Sequence, residues 1–217
     1  MITSPDRLAW HVEFLREAGH RFTGAAELAD TWTGNQPPGG LAVLTFDDGW
    51  LDALTVAAPL LADRGVPGTF FLAPGLFGNR EPRLGEAGQI VSGGQARELH
   101  AMGMELGCHS MYHPDLRTLG DRDLAEELAR SRFEIEALSG ERCRSFAYPS
   151  GWHDERVQAA VRAEGFDIAF AFGPQPWSRW AVPRLGGPPT AALESFPLYL
   201  RKGHDSCQSL GDRQPQA

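Results

Sequence analysis

Short apolar runs alternate with longer amphipathic segments along most of the chain. The runs have the length of strands buried on both faces, and the segments between them have the apolar spacing of helices. We predict six strands, at 41–46, 69–72, 105–108, 145–148, 168–172 and 182–185. We predict helices at 4–18, 25–32, 51–64, 92–102, 121–138 and 154–164. This alternation indicates β–α–β units and a largely parallel sheet, which places the fold in the α/β class.

Capping residues mark several of the predicted helix ends. Ser4 and Pro5 open the first helix, Ser92 and Gln95 match a capping box, and Asp121 is expected to cap the longest helix. No G-x-G-x-x-G pattern follows the first strand, so a dinucleotide-binding fold has no support. A barrel is the natural alternative, and it would place the chemistry at the carboxyl ends of the strands.

Composition and charge narrow the class of protein. A chain of 217 residues suits one domain, which we expect to span 1–202, with a polar, flexible tail at 203–217. The formal net charge of −8 argues against binding to nucleic acid or to anionic membranes. There is no run of ~20 apolar residues for a membrane span. Since no signal-peptide core is visible, we expect a cytoplasmic protein, or a secreted or periplasmic one if a leader precedes this sequence.

Two adjacent carboxylates follow the first long apolar run, in the sequence Asp47-Asp48-Gly49. Neighbouring side chains on extended backbone point to opposite sides, so one carboxylate can face a metal ion and the other a water molecule. The alternative is that Asp48 caps the helix predicted at 51–64.

Two histidines, His109 and His113, follow the strand predicted at 105–108. Pro114 disfavours helical angles at His113, so we place both on a loop, where they are candidate ligands of a divalent metal ion. The alternative is a turn with two surface histidines. Two imidazoles and one carboxylate would leave coordination positions open, as in catalytic sites that activate water, and the second carboxylate would serve as general base. Zinc is favoured by ligand type, with Co²⁺, Ni²⁺, Mn²⁺ or Fe²⁺ as alternatives.

Three segments together resemble the NodB-like polysaccharide deacetylases, carbohydrate esterase family four. T-F-D-D-G at 45–49, H-S-M-Y-H at 109–113 and F-A-Y-P-S-G at 146–151 are similar to the first three motifs of this family in order and spacing. The resemblance implies a distorted (β/α) barrel of six to seven largely parallel strands. The first strand of this barrel, which would precede the helix predicted at 4–18, is missing here. The resemblance further implies metal-dependent removal of N- or O-acetyl groups from a polysaccharide or lipid-linked sugar.

The resemblance also implies roles for individual residues. Asp47 would be the catalytic base, and one divalent ion would be held by Asp48, His109 and His113. Ser150 lies where the family places a backbone N–H of the oxyanion hole, and Tyr148 is a candidate substrate contact beside it.

Two tryptophans are further candidates for substrate binding. Trp50 and Trp152 each follow a motif glycine, and their flat apolar faces suit a groove in which sugars stack.

The chain departs from the family pattern around the catalytic base. The family's third motif carries an arginine that orients the base, and Ala147 stands at that place. Because a barrel brings its final and first strands together, we predict that Arg184 replaces the missing arginine and holds Asp47 in two parallel hydrogen bonds. The alternative is a surface charge at a strand end. The Asp-rich fourth motif is not visible at 170–173, and the proton donor stays unassigned.

Two other functions share these sequence features. A related amide hydrolase or deformylase would use the same metal ligands, and a sugar-binding pseudoenzyme would explain the missing motif residues. The presence of Asp47 together with a full ligand set argues against the pseudoenzyme, because binding alone needs no base.

Overall fold

The computed structural model describes residues 4–34, 37–81, 88–173 and 176–185. The predicted tail at 203–217 and the end of the domain predicted at 1–202 lie outside these residues. The strands are β1 (Arg21–Phe22), β2 (Leu41–Ala42), β3 (Leu44–Phe46), β4 (Gly68–Leu72), β5 (Glu105–Cys108), β6 (Ser145–Ala147), β7 (Ile168–Phe172) and β8 (Val182–Arg184).

Strands β3 to β8 form one sheet in the order in which they occur along the chain, and each neighbouring pair is parallel. The sheet curls into a half-barrel, which confirms the predicted distorted (β/α) barrel of six parallel strands. Within the described residues β3 and β8 are edge strands, so backbone pairing does not close the barrel between them. All six carboxyl ends lie at one rim, where the fold places its chemistry.

The helices are α1 (Pro5–Glu17), α2 (Ala25–Thr31), α3 (Ala58–Ala62), α4 (Gly93–Ala101), α5 (Asp121–Ser139) and α6 (Glu155–Glu164). The side chain of Ser4 caps α1, and Ser92 and Gln95 form the predicted capping box at α4. The cap predicted for the longest helix is wrong by one residue. Gly120 is the N-cap of α5, and Asp121 lies in its first turn, where a negative charge still favours the helix dipole.

The segment predicted as one helix at 51–64 contains a widened turn. Ala53–Ala57 form a π-helical turn that runs directly into α3. Pro59 supplies the reason, because a proline has no N–H to donate and its ring crowds the carbonyl four residues earlier.

The run predicted as one strand at 41–46 is interrupted at Val43. Its first two residues, β2, pair with β1 in a separate two-stranded sheet, and only β3 joins the large sheet. The residues of β3 are half-buried, although the sequence predicts a strand buried on both faces. The reason is that β3 is an edge strand with one neighbour in the described sheet.

In the described part of the chain the interior consists of two apolar clusters, one on each face of the sheet. Side chains of β4 alternate between them. Phe70 belongs to the cluster that includes residues of α1, α3, α4 and α5, and Phe71 belongs to the cluster that includes residues of α2. All five residues of β4 are buried, as expected for a central parallel strand. None of the described helices combines the length and apolar character that crossing a bilayer requires.

Candidate metal and catalytic site

A sharp turn after β3 presents Asp47 and Asp48 at the rim of the half-barrel. Asp48 and Gly49 both have left-handed backbone angles, with φ of 69° and 72°. A Cβ atom at Gly49 would lie 2.9 Å from the Leu72 side chain, so a glycine is required there. Asp48 does not cap a helix, and that alternative is wrong. Its carboxylate instead lies beside Trp50, His109 and His113.

His109 directly follows β5 and is 1% exposed. Its Nδ1 atom lies 2.8 Å from the carbonyl oxygen of Ala147, the last residue of β6. This contact places the hydrogen on Nδ1, because a carbonyl can only accept. Nε2, which lies 3.4 Å from Asp48 Oδ1, is therefore the nitrogen left for a metal ion, and the ring orientation is fixed as in many metal-binding histidines.

His113 lies on a loop and not on a helix, as the sequence predicts. Ser110 and His113 both have positive φ, at 61° and 57°. The backbone N–H of His113 donates to the Ser110 hydroxyl at 3.0 Å, which closes the loop. The two imidazole rings of His109 and His113 meet edge to face with centroids 4.8 Å apart.

Three side chains have the spacing that a metal ion requires. The Oδ1 atom of Asp48 lies 3.4 Å from His109 Nε2 and 3.5 Å from His113 Nε2. Potential ligand atoms of all three residues lie within 4.8 Å of one another. Ligand atoms bound at ~2.1 Å in a tetrahedron lie about 3.4 Å apart, so two of these separations match a zinc site. The donor set of one carboxylate and two imidazoles therefore fits a divalent cation.

The protonation of these ligands also favours a metal. Burial raises the pKa of Asp48, but the His109 side chain, His113 and the Trp50 indole outweigh it and hold that pKa below its ordinary value. Burial lowers the pKa of His113, and the neighbouring His109 lowers it further. Both shifts favour the states that bind a cation, an ionised carboxylate and a neutral imidazole.

Trp50 forms a contact at this site that the sequence did not predict. Its indole Nε1–H donates to Asp48 Oδ2 at 3.0 Å, and the side chain is half-buried. Trp50 thus orients the carboxylate whose other oxygen faces the histidines. The sequence carries no signal for this contact, because the direction of the indole depends on the turn at Asp48 and Gly49.

Asp47 forms the predicted contact with Arg184. The Nη1 and Nη2 atoms of Arg184 donate to the two carboxylate oxygens of Asp47, each at 2.6 Å, and Nη1 also lies 3.3 Å from Thr45 Oγ1. The guanidinium lies over the rings of Phe71 and Phe172, 5.7 and 5.1 Å from their centroids. Asp47 Oδ2 is 3.9 Å from His109 Nε2, so this carboxylate borders the candidate metal site.

The remaining predicted contacts have different environments. Ser150 is exposed in a left-handed conformation, three residues after β6. Trp152 is 50% exposed, and the Arg117 guanidinium lies 5.1 Å from its ring centroid. Tyr148 does not reach the surface, so its prediction as a substrate contact is wrong. Its side chain is fully buried against the ring of Phe146, and its hydroxyl donates to the Trp180 carbonyl at 2.7 Å.

The sequence and the fold both match known deacetylases. Residues 34–169 match the family model for polysaccharide deacetylase. A chitooligosaccharide deacetylase of Sinorhizobium fredii is 28% identical over 167 residues, which cover 76% of this chain and 71% of that protein. A putative polysaccharide deacetylase of Bacillus subtilis, YxkH, is 24% identical over 88% of this chain and 67% of its own length.

Solved structures of deacetylases also resemble this chain. The structure of IcaB from Ammonifex degensii is 26% identical, has a TM-score of 0.72, and matches over 92% of this chain and 91% of its own. The Streptococcus pyogenes deacetylase PplD, solved in complex with acetate, has a TM-score of 0.79 at 20% identity, with coverage of 92% and 88%, and so supports the fold. The match of the family model over more than half of the chain shows that this protein belongs to the polysaccharide deacetylase family, the NodB-like hydrolases that act on carbon–nitrogen bonds.

Proposed function

We propose that this protein is a metal-dependent hydrolase that removes N-acetyl, or O-acetyl, groups from a polysaccharide or lipid-linked sugar. One divalent ion, zinc by ligand type, would be held by Asp48, His109 and His113. The observation that carries the proposal is the position of Asp47. Its Oδ2 atom lies 3.9 Å from Nε2 of the candidate ligand His109, and both of its oxygens accept hydrogen bonds from Arg184.

In this mechanism Asp47 is the general base. A divalent ion held there would polarise the acetyl carbonyl and lower the pKa of a water molecule. Asp47 would accept a proton from the water that attacks the acetyl carbon. A carboxylate has about four lone-pair positions, so two hydrogen bonds from Arg184 leave room for this proton.

Arg184 orients the base. Its planar fork fits both oxygens of Asp47, and its stacking on Phe71 and Phe172 restricts the guanidinium from two sides. This arrangement supports the proposal that Arg184 takes the place of the arginine that is missing at position 147. It also argues against a sugar-binding pseudoenzyme, because a binding site does not need an oriented base.

Two exposed residues are proposed to contact the substrate. Ser150 would offer its backbone N–H to the oxygen of the acetyl carbonyl, where negative charge develops in the transition state. Trp152 would offer its ring to a sugar, since aromatic faces are flat and apolar. Its exposure supports this role, and the Arg117 guanidinium already lies against the ring.

Acetate release tests the proposal. The protein is stripped with a chelator, and acetate released from N-acetylated chito-oligomers is measured before and after zinc is restored. We expect release only with the metal restored. Formamides and small amides are assayed in parallel, because the related amide hydrolases would prefer them.

Asp63→Asn is the control variant. Asp63 is exposed at the end of α3, so its substitution removes one carboxylate far from the candidate site in sequence and is expected to leave acetate release as in the wild type. Release that does not depend on metal would contradict the proposal.

A further inference from the structure

One carboxylate of α5 holds the loop between the two candidate histidine ligands. The Oε2 atom of Glu127 accepts the backbone N–H of Met111 at 2.9 Å and that of Tyr112 at 3.1 Å. These residues lie between His109 and His113, and Glu127 is 16 and 15 positions away from them in sequence. The contact therefore joins a half-buried side chain of the long helix to the backbone of the candidate metal site.

The loop needs such an anchor because its backbone is not in a low-energy conformation. Ser110 and His113 both adopt positive φ, which costs free energy for residues with a Cβ atom. Such a conformation persists only where its surroundings enforce it. Besides Glu127, a bond from the His113 N–H to the Ser110 hydroxyl and a bond on the opposite side from Gly75 hold the backbone between the two histidines.

The opposite side of the loop is held by the turn after β4. The N–H of Gly75 donates to the Met111 carbonyl at 2.9 Å. A Cβ atom at Gly75 would lie 2.3 Å from the Tyr112 ring, so the ring packs closely on the glycine. Met111 is thus bound through its carbonyl on one side and through its N–H on the other. Of these two anchors, only Glu127 is a side chain that can be changed without altering the backbone.

We propose that Glu127 is a positioning residue for the metal site. By accepting the two N–H groups it holds the left-handed loop and so sets the distance between His113 Nε2 and the other two ligands. Hydrogen bonds to an ionised carboxylate are about twice as strong as neutral ones. Outer groups that orient metal ligands typically account for about 10- to 100-fold in metal affinity. This inference rests on the proposed function, because it assumes that Asp48, His109 and His113 bind a metal ion.

Glu127 could also raise metal affinity through its negative charge alone. A variant that removes the charge but keeps a hydrogen-bond acceptor distinguishes the two explanations. If Glu127 only attracts the cation through its charge, then Glu127→Gln and Glu127→Ala should weaken binding equally. If it positions the loop, Glu127→Gln should retain more affinity, because its amide oxygen can still accept from both N–H groups. Glu134→Gln is the matched control, since Glu134 is an exposed carboxylate of the same helix.

Zinc affinity is measured by competition with a chromophoric chelator for the wild type and the three variants. We expect Glu127→Ala to weaken binding by about 10- to 100-fold, Glu127→Gln to weaken it less, and Glu134→Gln to leave it unchanged. The visible spectrum of the Co²⁺-loaded protein should change in Glu127→Ala, because the ligand geometry changes. Equal zinc affinity of wild type and Glu127→Ala would overturn the positioning role, as would equal losses in Glu127→Ala and Glu127→Gln.

Amide hydrogen exchange on the metal-free proteins tests the same inference without a metal. The N–H groups of Met111 and Tyr112 should exchange fastest in Glu127→Ala, at an intermediate rate in Glu127→Gln, and most slowly in the wild type. Unchanged exchange in Glu127→Gln and Glu127→Ala would contradict the anchor. A wild type that binds no metal would instead overturn the proposed function, and with it the role of Glu127 toward a metal. The two failures are therefore distinguishable.

Discussion

Arg184 and Asp47, which are 137 positions apart, are joined by two parallel hydrogen bonds of 2.6 Å. Arg184 ends β8 and Asp47 follows β3, the two edge strands of the half-barrel. A side-chain ion pair thus spans the gap that backbone pairing leaves open in the described sheet. The same pair positions the carboxylate that we propose as the general base, so the open side of the barrel is part of the site.

The bidentate contact predicts that even a conservative substitution of Arg184 lowers the reaction rate. Arg184→Lys should lower the deacetylation rate by about 10- to 100-fold, because a lysine is a point charge that cannot hold both oxygens of Asp47 in one plane. Zinc affinity should change little, since within the described residues the Arg184 guanidinium contacts Asp47, Thr45 and two phenylalanine rings and none of the three candidate ligands. Steady-state rates and a zinc titration on the same preparation check this. A normal rate in Arg184→Lys would show that the contact does not orient the base.

The metal site predicts a loss of binding at position 113. His113→Ala removes one of three ligands, so zinc should no longer bind stoichiometrically at micromolar protein concentration. His20→Ala, in the turn after α1, provides the control and should bind zinc as the wild type does. Metal content after gel filtration measures both. If His113→Ala retains one tightly bound zinc ion, the assignment of this ligand is wrong.

The hydrogen bond from Trp50 to Asp48 predicts that the indole N–H contributes to metal affinity. Trp50→Phe keeps an aromatic ring but has no donor for Asp48 Oδ2, so zinc binding should weaken by about tenfold or more. Trp10→Phe on α1 removes an indole from a different part of the fold and should leave the affinity unchanged. Isothermal titration with zinc compares the two variants, and equal affinities would show that the bond does not matter for the metal.

Glu105 begins β5 and so lies at the end of the barrel opposite the candidate site. Its environment predicts that the free energy of unfolding depends on pH. Its carboxylate accepts from Ala26 N–H, Thr69 Oγ1 and Ser145 Oγ, but burial is the largest influence and raises its pKa above the ordinary 4.5. The folded state therefore binds a proton more tightly than the unfolded state does. The stabilisation from this group is complete below about pH 4.5 and decreases as the pH rises through the folded-state pKa.

Comparison with Glu105→Gln isolates this contribution from all other titrating groups. The free energy of unfolding of the wild type minus that of Glu105→Gln should fall as the pH increases from 4 to 7. Urea unfolding of the metal-free proteins at several pH values provides the measurement. A difference that rises with pH would mean that the pKa of Glu105 is lowered in the folded protein.

Most of the large sheet could be predicted from the sequence because its strands have a simple local signature. Short apolar runs between amphipathic segments predicted β4 to β8 to within a residue or two. Strand β1 was missed because two residues carry no periodicity, and the interruption at Val43 depends on which strand pairs with which. The widened turn before α3 had a visible cause in Pro59, but a single proline does not distinguish a kink from a π-helical turn.

The candidate ligands could be predicted because residue types and strand ends are readable in the sequence. The contact between Asp47 and Arg184 could be predicted because a barrel brings its outer strands together. The roles of Trp50 and Glu127 could not, since each depends on the direction of a side chain across a turn or between elements. Tyr148 failed for the same reason, because its position in the motif did not reveal that its ring enters the core.

The rate of acetate release by zinc-loaded Asp47→Asn, measured beside the zinc-loaded wild type, tests the central claim most directly. We expect the rate to fall by about 10²- to 10⁴-fold, the usual contribution of a general base, while one zinc ion stays bound. Metal loss in Asp47→Asn would mean that Asp47 and Asp48 have exchanged roles. A near-normal rate with zinc bound would contradict the claim that Asp47 is the base of a metal-dependent deacetylase.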